Sequence, residues 1–135
     1  PIVIHTREAM QQCIEAVAAH KTDRLRGIFH CFGGTREEAG KIIALGFYLG
    51  IGGVLTYKKS GLKETLKEID IQHLVLETDA PYLTPVPFRG KRNESAYLEY
   101  VIKALAEVKS MTVEEIAAVT TANANFVFQT GKHVI

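Results

Sequence analysis

"LVLETDAPYL", Leu74 to Leu83, carries three aliphatic residues straight into two carboxylates, with a proline close behind. Leu74, Val75 and Leu76 show no polar alternation. Such a run reads as a strand covered on both faces, the habit of parallel sheets. Glu77 and Asp79 then stand at its mouth, where a dry wall meets water. The other apolar runs decide whether this ending is an accident or a pattern.

Upstream there are three more runs of the same kind. Ile2-Val3-Ile4 is short, apolar and rich in β-branched residues. Gly27-Ile28-Phe29 is the second, and Phe47 to Ile51 the third. Between them lie amphipathic stretches. Arg7 to His20 carries Met10, Cys13, Ile14 and Val17, the i, i+3, i+4, i+7 spacing of one helix face. Thr35 and Glu38 form a T-x-x-E capping box ahead of Ala39, Ile42 and Ile43. Gly46 stands where a helix stops at positive φ. Gly61 to Glu68 reads as a short helix.

Downstream, Ala80 to Glu94 is irregular and holds three of the four prolines. Ser95 to Lys109 is a helix with Leu98, Val101, Ile102, Leu105 and Val108 on one side. Thr112 and Glu115 cap another that carries Ile116 and Val119, and "ANANFVF" adds a final turn or short helix. Buried strands alternating with amphipathic helices predict an α/β fold with a parallel sheet. No linker interrupts the chain, so residues 1–135 read as one domain.

Composition bounds the rest. At 135 residues, 47% hydrophobic and 23% charged, the chain can build one core. No apolar run approaches the ~20 residues of a membrane helix. With no signal or transit pattern, the expectation is a cytoplasmic protein without membrane contact. Cys13 and Cys31 lack the density of a disulfide scaffold and are expected as reduced, buried thiols. A net charge of +1 argues neither for nor against nucleic acid, so any phosphate site must rest on a local cluster.

In parallel α/β folds the functional edge is where strands finish. The first run ends on His5, the second on His30, the third at "LGIGG", where small residues leave room, and the fourth on Glu77 and Asp79. Imidazole and carboxylate form the ligand set of Zn, Mn, Fe and other divalent ions. Taken singly, each has an ordinary reading: a hydrogen-bonded structural His, or an Asp that forms a turn before Ala-Pro. His20, His73 and His133 lack such placement and read as surface or structural residues. A second cluster, "FRGKRNE" (Phe88 to Glu94), sets Arg89, Lys91 and Arg92 beside a glycine, followed by Asn93. Guanidinium forks and a close-approaching backbone suit phosphate. A solvated basic loop would look the same. Arg7, just after His5, can point to the same mouth.

With these residues assembled, the chain resembles the TatD family of metal-dependent hydrolases. "PIVIHTREA" is similar to the family's P-x-x-x-H-x-R-x-A segment, and "GIFHCFGGT" to its H-C-F-[SG]-G segment. "HLVLETDAPYLTP" and then "RGKRNE" resemble its L-L-E-T-D-x-P-Y-L signature and R-G-[KR]-x-N tail. The resemblance implies a (β/α)8 TIM-type barrel with a two-metal centre, of which these βα units are the second half. It implies His5 and His30 on one divalent ion (Mg, Mn or Zn) and Asp79 on the other. Glu77 would be a supporting carboxylate at the catalytic centre, and Arg7, Arg89, Lys91, Arg92 and Asn93 would face DNA phosphates. The family's first-strand H-x-H and its metal-bridging Glu have no match here, and Gln11 replaces a usual acid.

Half a barrel leaves two open strand edges and an inner face without an opposite wall. The expectation is therefore the C-terminal part of a longer protein, whose other half, or a second copy, covers those edges. A flatter doubly wound sheet is the alternative. The function implied is a divalent-metal-dependent deoxyribonuclease. Its rivals are a hydrolase of another ester or amide, and an inactive fragment that lacks a complete metal site.

Overall fold

Four parallel strands lie side by side in chain order in the computed structural model, which describes residues 1–130. They are β1 (Ile2–His5), β2 (Gly27–His30), β3 (Tyr48–Ile51) and β4 (Leu74–Leu76). His133 lies outside the described residues. The register pairs Ile4 with Phe29 and His5 with His30, then Phe29 with Leu49, and Ile51 with Leu76. All four strands therefore finish along one edge.

Alternation along the strands sorts the side chains onto two faces. Phe29, Leu49, Ile51 and Leu74 enter the main core with the helices. Ile28, Tyr48 and Val75 form a second, smaller cluster on the opposite face. Two residues further on, His30, Gly50 and Glu77 continue that second face at the finishing edge. Ile28, Tyr48 and Val75 thus share one surface with the residues that follow them at the finishing edge.

The helices α1 (Met10–Ala19), α2 (Arg36–Ala44), α3 (Leu62–Lys67), α4 (Leu98–Lys109) and α5 (Val113–Phe128) follow the expected order. Helix α1 begins three residues later than its spacing predicts. Glu8 adopts a left-handed conformation, φ 54°, which a helix cannot include. The capping box of α2 forms: Glu38 N–H donates to Thr35 Oγ1 at 3.2 Å, and Thr35 N–H donates to Glu38 Oε2 at 2.7 Å. Gly46 stands at φ 74° after that helix.

Helix α5 is one continuous helix, not a capped helix followed by a separate turn. Two asparagines among small residues lower intrinsic helix propensity, but Asn123 has a tertiary role. Its buried amide donates to Ile71 O at 2.9 Å and to Leu74 O at 2.8 Å, satisfying carbonyls at the entry to β4.

The end of α5 also supplies part of an opposite wall that the sequence does not foretell. Val127 is fully buried against Ile28 and Val75 on the second face, and Arg26 Nε donates to Val127 O at 3.1 Å. The wall stops short of β1, where Val3 remains 58% exposed. Both β1 and β4 have a single strand neighbour, so the sheet is open among the described residues. Cys13 and Cys31 are half-buried rather than buried. None of the described helices is long and apolar enough to cross a membrane.

Candidate active site

The finishing edge of the sheet brings His5, His30, Glu77 and Asp79 together. The imidazoles of His5 and His30 are register partners, with ring centroids 5.7 Å apart and planes 27° from parallel. His30 sits between the two carboxylates: Nδ1 lies 2.9 Å from Glu77 Oε1, and Nε2 lies 3.1 Å from Asp79 Oδ1. His30 and Glu77 are largely buried, while Asp79 is about twice as open. His5, Arg7, His30 and Asp79 line one hollow of about 980 Å³.

Local backbone explains this convergence. Glu77 can turn inward because position 50 is glycine; a Cβ there would meet Glu77 Oε2 at 2.5 Å. Glu77 Oε1 also accepts from Cys31 N–H at 2.5 Å, which fixes the carboxylate between β2 and β4. Cys31 and Asp79 both hold left-handed backbone, φ 51° and 53°. Residues other than glycine reach that region at a steric cost. Here it turns the chain sharply at the two strand ends that deliver the site.

Two carboxylates, Glu77 and Asp79, stand close to Cys31 at the edge of the hollow. The Cys31 thiol is pushed up to about 11, first by burial and then by Glu77 and Asp79. Burial disfavours the charged thiolate, and the two neighbouring carboxylates add to that. A neutral His30 with its proton on Nδ1 donates to Glu77. Its Nε2 lone pair then confronts Asp79 Oδ1, two acceptors face to face. A divalent cation held between them would resolve the conflict. By donor type, imidazole and carboxylate fit a divalent cation. By number they are a partial set: among the described residues no group of three or more His, Cys, Asp or Glu side chains is disposed to hold one.

The basic residues distribute unequally. Arg7 lines the main hollow, with Tyr82 and Leu83 on the same rim. A second hollow of about 280 Å³ lies across those two residues, lined by Arg89, Lys91 and Tyr57. The Arg89 guanidinium stands 3.8 Å from the centre of the Tyr57 ring. Arg92 is exposed and lines neither hollow. Asn93 departs from the phosphate-facing role expected of it. It is 2% exposed, and its amide donates to Thr78 O and Tyr82 O, both at 2.6 Å. It holds the loop rather than meeting a ligand.

Sequence reasoning passed over Cys31 and Tyr82, and of Gly50 it read only that small residues leave room at the end of the third strand. For Gly50 a signal existed, because small residues at a strand end imply that a neighbour fills the space. Tyr82 lay in full view beside the carboxylates, but only its exposure separates it from a core aromatic.

The chain matches the family described as TatD related DNase over residues 1–129. The chain belongs to that family. It is 45% identical over 130 residues to the uncharacterized metal-dependent hydrolase YabD of Bacillus subtilis, covering 96% of this chain and 51% of that protein. It is 36% identical over 135 residues to the 3'-5' ssDNA/RNA exonuclease TatD of Citrobacter rodentium, covering 95% of this chain and 51% of the relative. Among solved structures, the TatD homolog YJJV of Escherichia coli K12 superposes with a TM-score of 0.91 at 27% identity, over 96% of this chain and 50% of that one. A TatD family hydrolase of Entamoeba histolytica, at 20% identity and TM-score 0.82, shares the fold. The chain thus spans about half the length of the TatD relatives it matches. Its four parallel βα units have the architecture of half a TIM-type barrel.

Proposed function

We propose that this chain carries half of the active site of a divalent-metal-dependent hydrolase that cleaves phosphodiester bonds of DNA. One observation bears the most weight: two imidazoles and two carboxylates meet at a single strand edge, with Arg7 on the rim of the same hollow. His5, His30 and Asp79 would hold metal, and the chemistry such an ion supplies when bound is activation of water and neutralisation of phosphate charge. Glu77 fixes the His30 ring through Nδ1, so that Nε2 faces the hollow. Arg7 offers a guanidinium to a phosphate oxygen there, and Arg89 and Lys91 offer charge to a flanking phosphate across Tyr82 and Leu83.

The name of the Citrobacter rodentium relative supports a nucleic-acid substrate. The basic second hollow supports it over a neutral ester or amide, which gains nothing from two cations. The remaining ligands would come from the part of the barrel that closes against β1 and β4. Exposed Val3 and the single-neighbour edge strands fit that role, with this chain as the C-terminal half.

The test uses the full-length protein with Mg²⁺, Mn²⁺ or Zn²⁺ and two substrates, single-stranded DNA and a neutral ester. DNA cleavage is expected, with His30→Ala and Asp79→Asn each lowering it by roughly 10²-fold or more while the circular dichroism spectrum is unchanged. Wild-type cleavage rates retained by Asp79→Asn, or turnover of the ester alone, would overturn the assignment.

A further inference from the structure

We propose that Tyr82 is a stacking platform for one nucleobase of a single-stranded nucleic acid whose adjoining phosphate enters the hollow of His5, His30 and Asp79. The inference rests on the nucleic-acid reading above and adds what that reading lacks, a contact to a base. Tyr82 is 71% exposed, the most exposed of the large apolar and aromatic residues among those described. It also lines both hollows, standing between the His–carboxylate site and the Arg89–Lys91 cleft.

A tyrosine on a loose loop would carry no such meaning, but this loop is firmly mounted. Tyr82 N–H donates to Asp79 O at 2.8 Å, and Tyr82 O accepts from the buried Asn93 amide at 2.6 Å. Thr84 Oγ1 donates to Lys91 O at 2.5 Å, and Tyr57 OH donates to Thr84 O at 3.0 Å. The loop presses so closely on the 3-10 turn at Gly53–Thr56 that a Cβ at Gly53 would lie 2.0 Å from Leu83 O. Phe88, further along, stacks on Tyr97 with centroids 4.5 Å apart. These ties fix the backbone on either side of Tyr82, and none of them uses its ring.

A rigidly presented aromatic face, flanked by the hollow that Arg7 rims on one side and a basic cleft on the other, matches an alternating polymer of charge and flat rings. Phosphates are drawn to Arg7 on one side and to Arg89 and Lys91 on the other, and a base between them finds the ring. Every base has a π-face, so such a platform is tolerant of sequence. A duplex keeps its bases stacked on one another, so only an unpaired strand can use it. Arg89, already laid on the Tyr57 ring, leaves that second aromatic occupied by its own cation and assigns the base to Tyr82.

The experiment measures binding of two fluorescent single strands to the metal-loaded, full-length protein by anisotropy. Both have phosphorothioate links that resist cleavage; one carries bases and the other is abasic throughout. Tyr82→Ala is expected to weaken the base-bearing strand by about 5- to 150-fold, the range of base–aromatic stacking. It should leave the abasic strand and the salt slope unchanged. Tyr82→Phe, which keeps the ring, should bind both strands as wild type does. Equal loss on both strands, no loss on either, or a Tyr82→Phe defect as large as that of Tyr82→Ala overturns the platform and leaves the nuclease reading standing. Failure of the wild-type protein to bind either strand removes the nucleic-acid reading, and the platform with it.

Discussion

At the scale of single residues, the site depends on a glycine as much as on its acids and imidazoles. Gly50 leaves the space that Glu77 fills, and Glu77 in turn fixes His30. Gly50→Ala puts a methyl group 2.5 Å from a carboxylate oxygen. The carboxylate must swing away, releasing His30 Nδ1 and Cys31 N–H together. Loss of a partner that orients a metal-binding His lowers affinity by roughly 10- to 100-fold. We expect a drop of that size when Mn²⁺ or Zn²⁺ is titrated into the full-length Gly50→Ala protein. Unchanged affinity would show that Glu77 does not govern the ring. That His5, His30, Glu77 and Asp79 meet at one strand edge was legible in the sequence, since each ends or closely follows an apolar run. Asn93 was not, because "RGKRN" reads as one basic stretch, and nothing in a string of letters says that its last member turns inward.

At the scale of elements, local chemistry and tertiary demand divide the credit. The T-x-x-E boxes at α2 and α5 form as written. The Glu115 carboxylate, hydrogen-bonded first by Thr112 N–H and then by its hydroxyl, is held below its ordinary value of 4.5. The sign follows directly. The contribution of this carboxylate is present in full above the ordinary value and is lost as pH falls through the lowered folded value. Thr112→Ala removes the cap, and the loss is expected to be about 1 kcal/mol at neutral pH. Urea unfolding monitored at pH 7 and pH 3 checks both points; because the variant keeps the N–H at position 112 and loses only the hydroxyl, the difference from wild type should shrink only in part at the lower pH. The unbroken length of α5 was not legible. Asn123 is a poor helix former on its own, and the carbonyls of Ile71 and Leu74 that make it useful lie about fifty residues earlier.

At the scale of the whole molecule, the open sheet sets behaviour. Among the described residues β1 presents an unpaired strand edge, with Ile2 and Val3 partly in water. Such an edge is a template for pairing. The 135-residue chain produced alone is expected to associate, its mass by light scattering rising with concentration. Val3→Lys, a charge on the exposed face, should reduce that tendency. A monomer at every concentration would mean that the end of α5 covers the second face more completely than the exposure of Val3 implies. The partial wall formed by Val127 against Ile28 and Val75 is a long-range contact, and no periodicity within α5 announces it.

Alternating apolar runs and amphipathic stretches settled, unaided, that the chain is a parallel α/β fold, and the residues ending those runs marked the strand edge at which imidazoles and carboxylates gather. That much follows from local periods, because strand and helix repeats are written in neighbouring letters. The tertiary structure alone decided that His30 lies between Glu77 and Asp79, that Asn93 faces inward while Tyr82 stands in water, and that α5 closes over part of the second face. Each is a contact between distant segments. Its existence depends on how strands register and where a loop is tied, and no single segment encodes those relations.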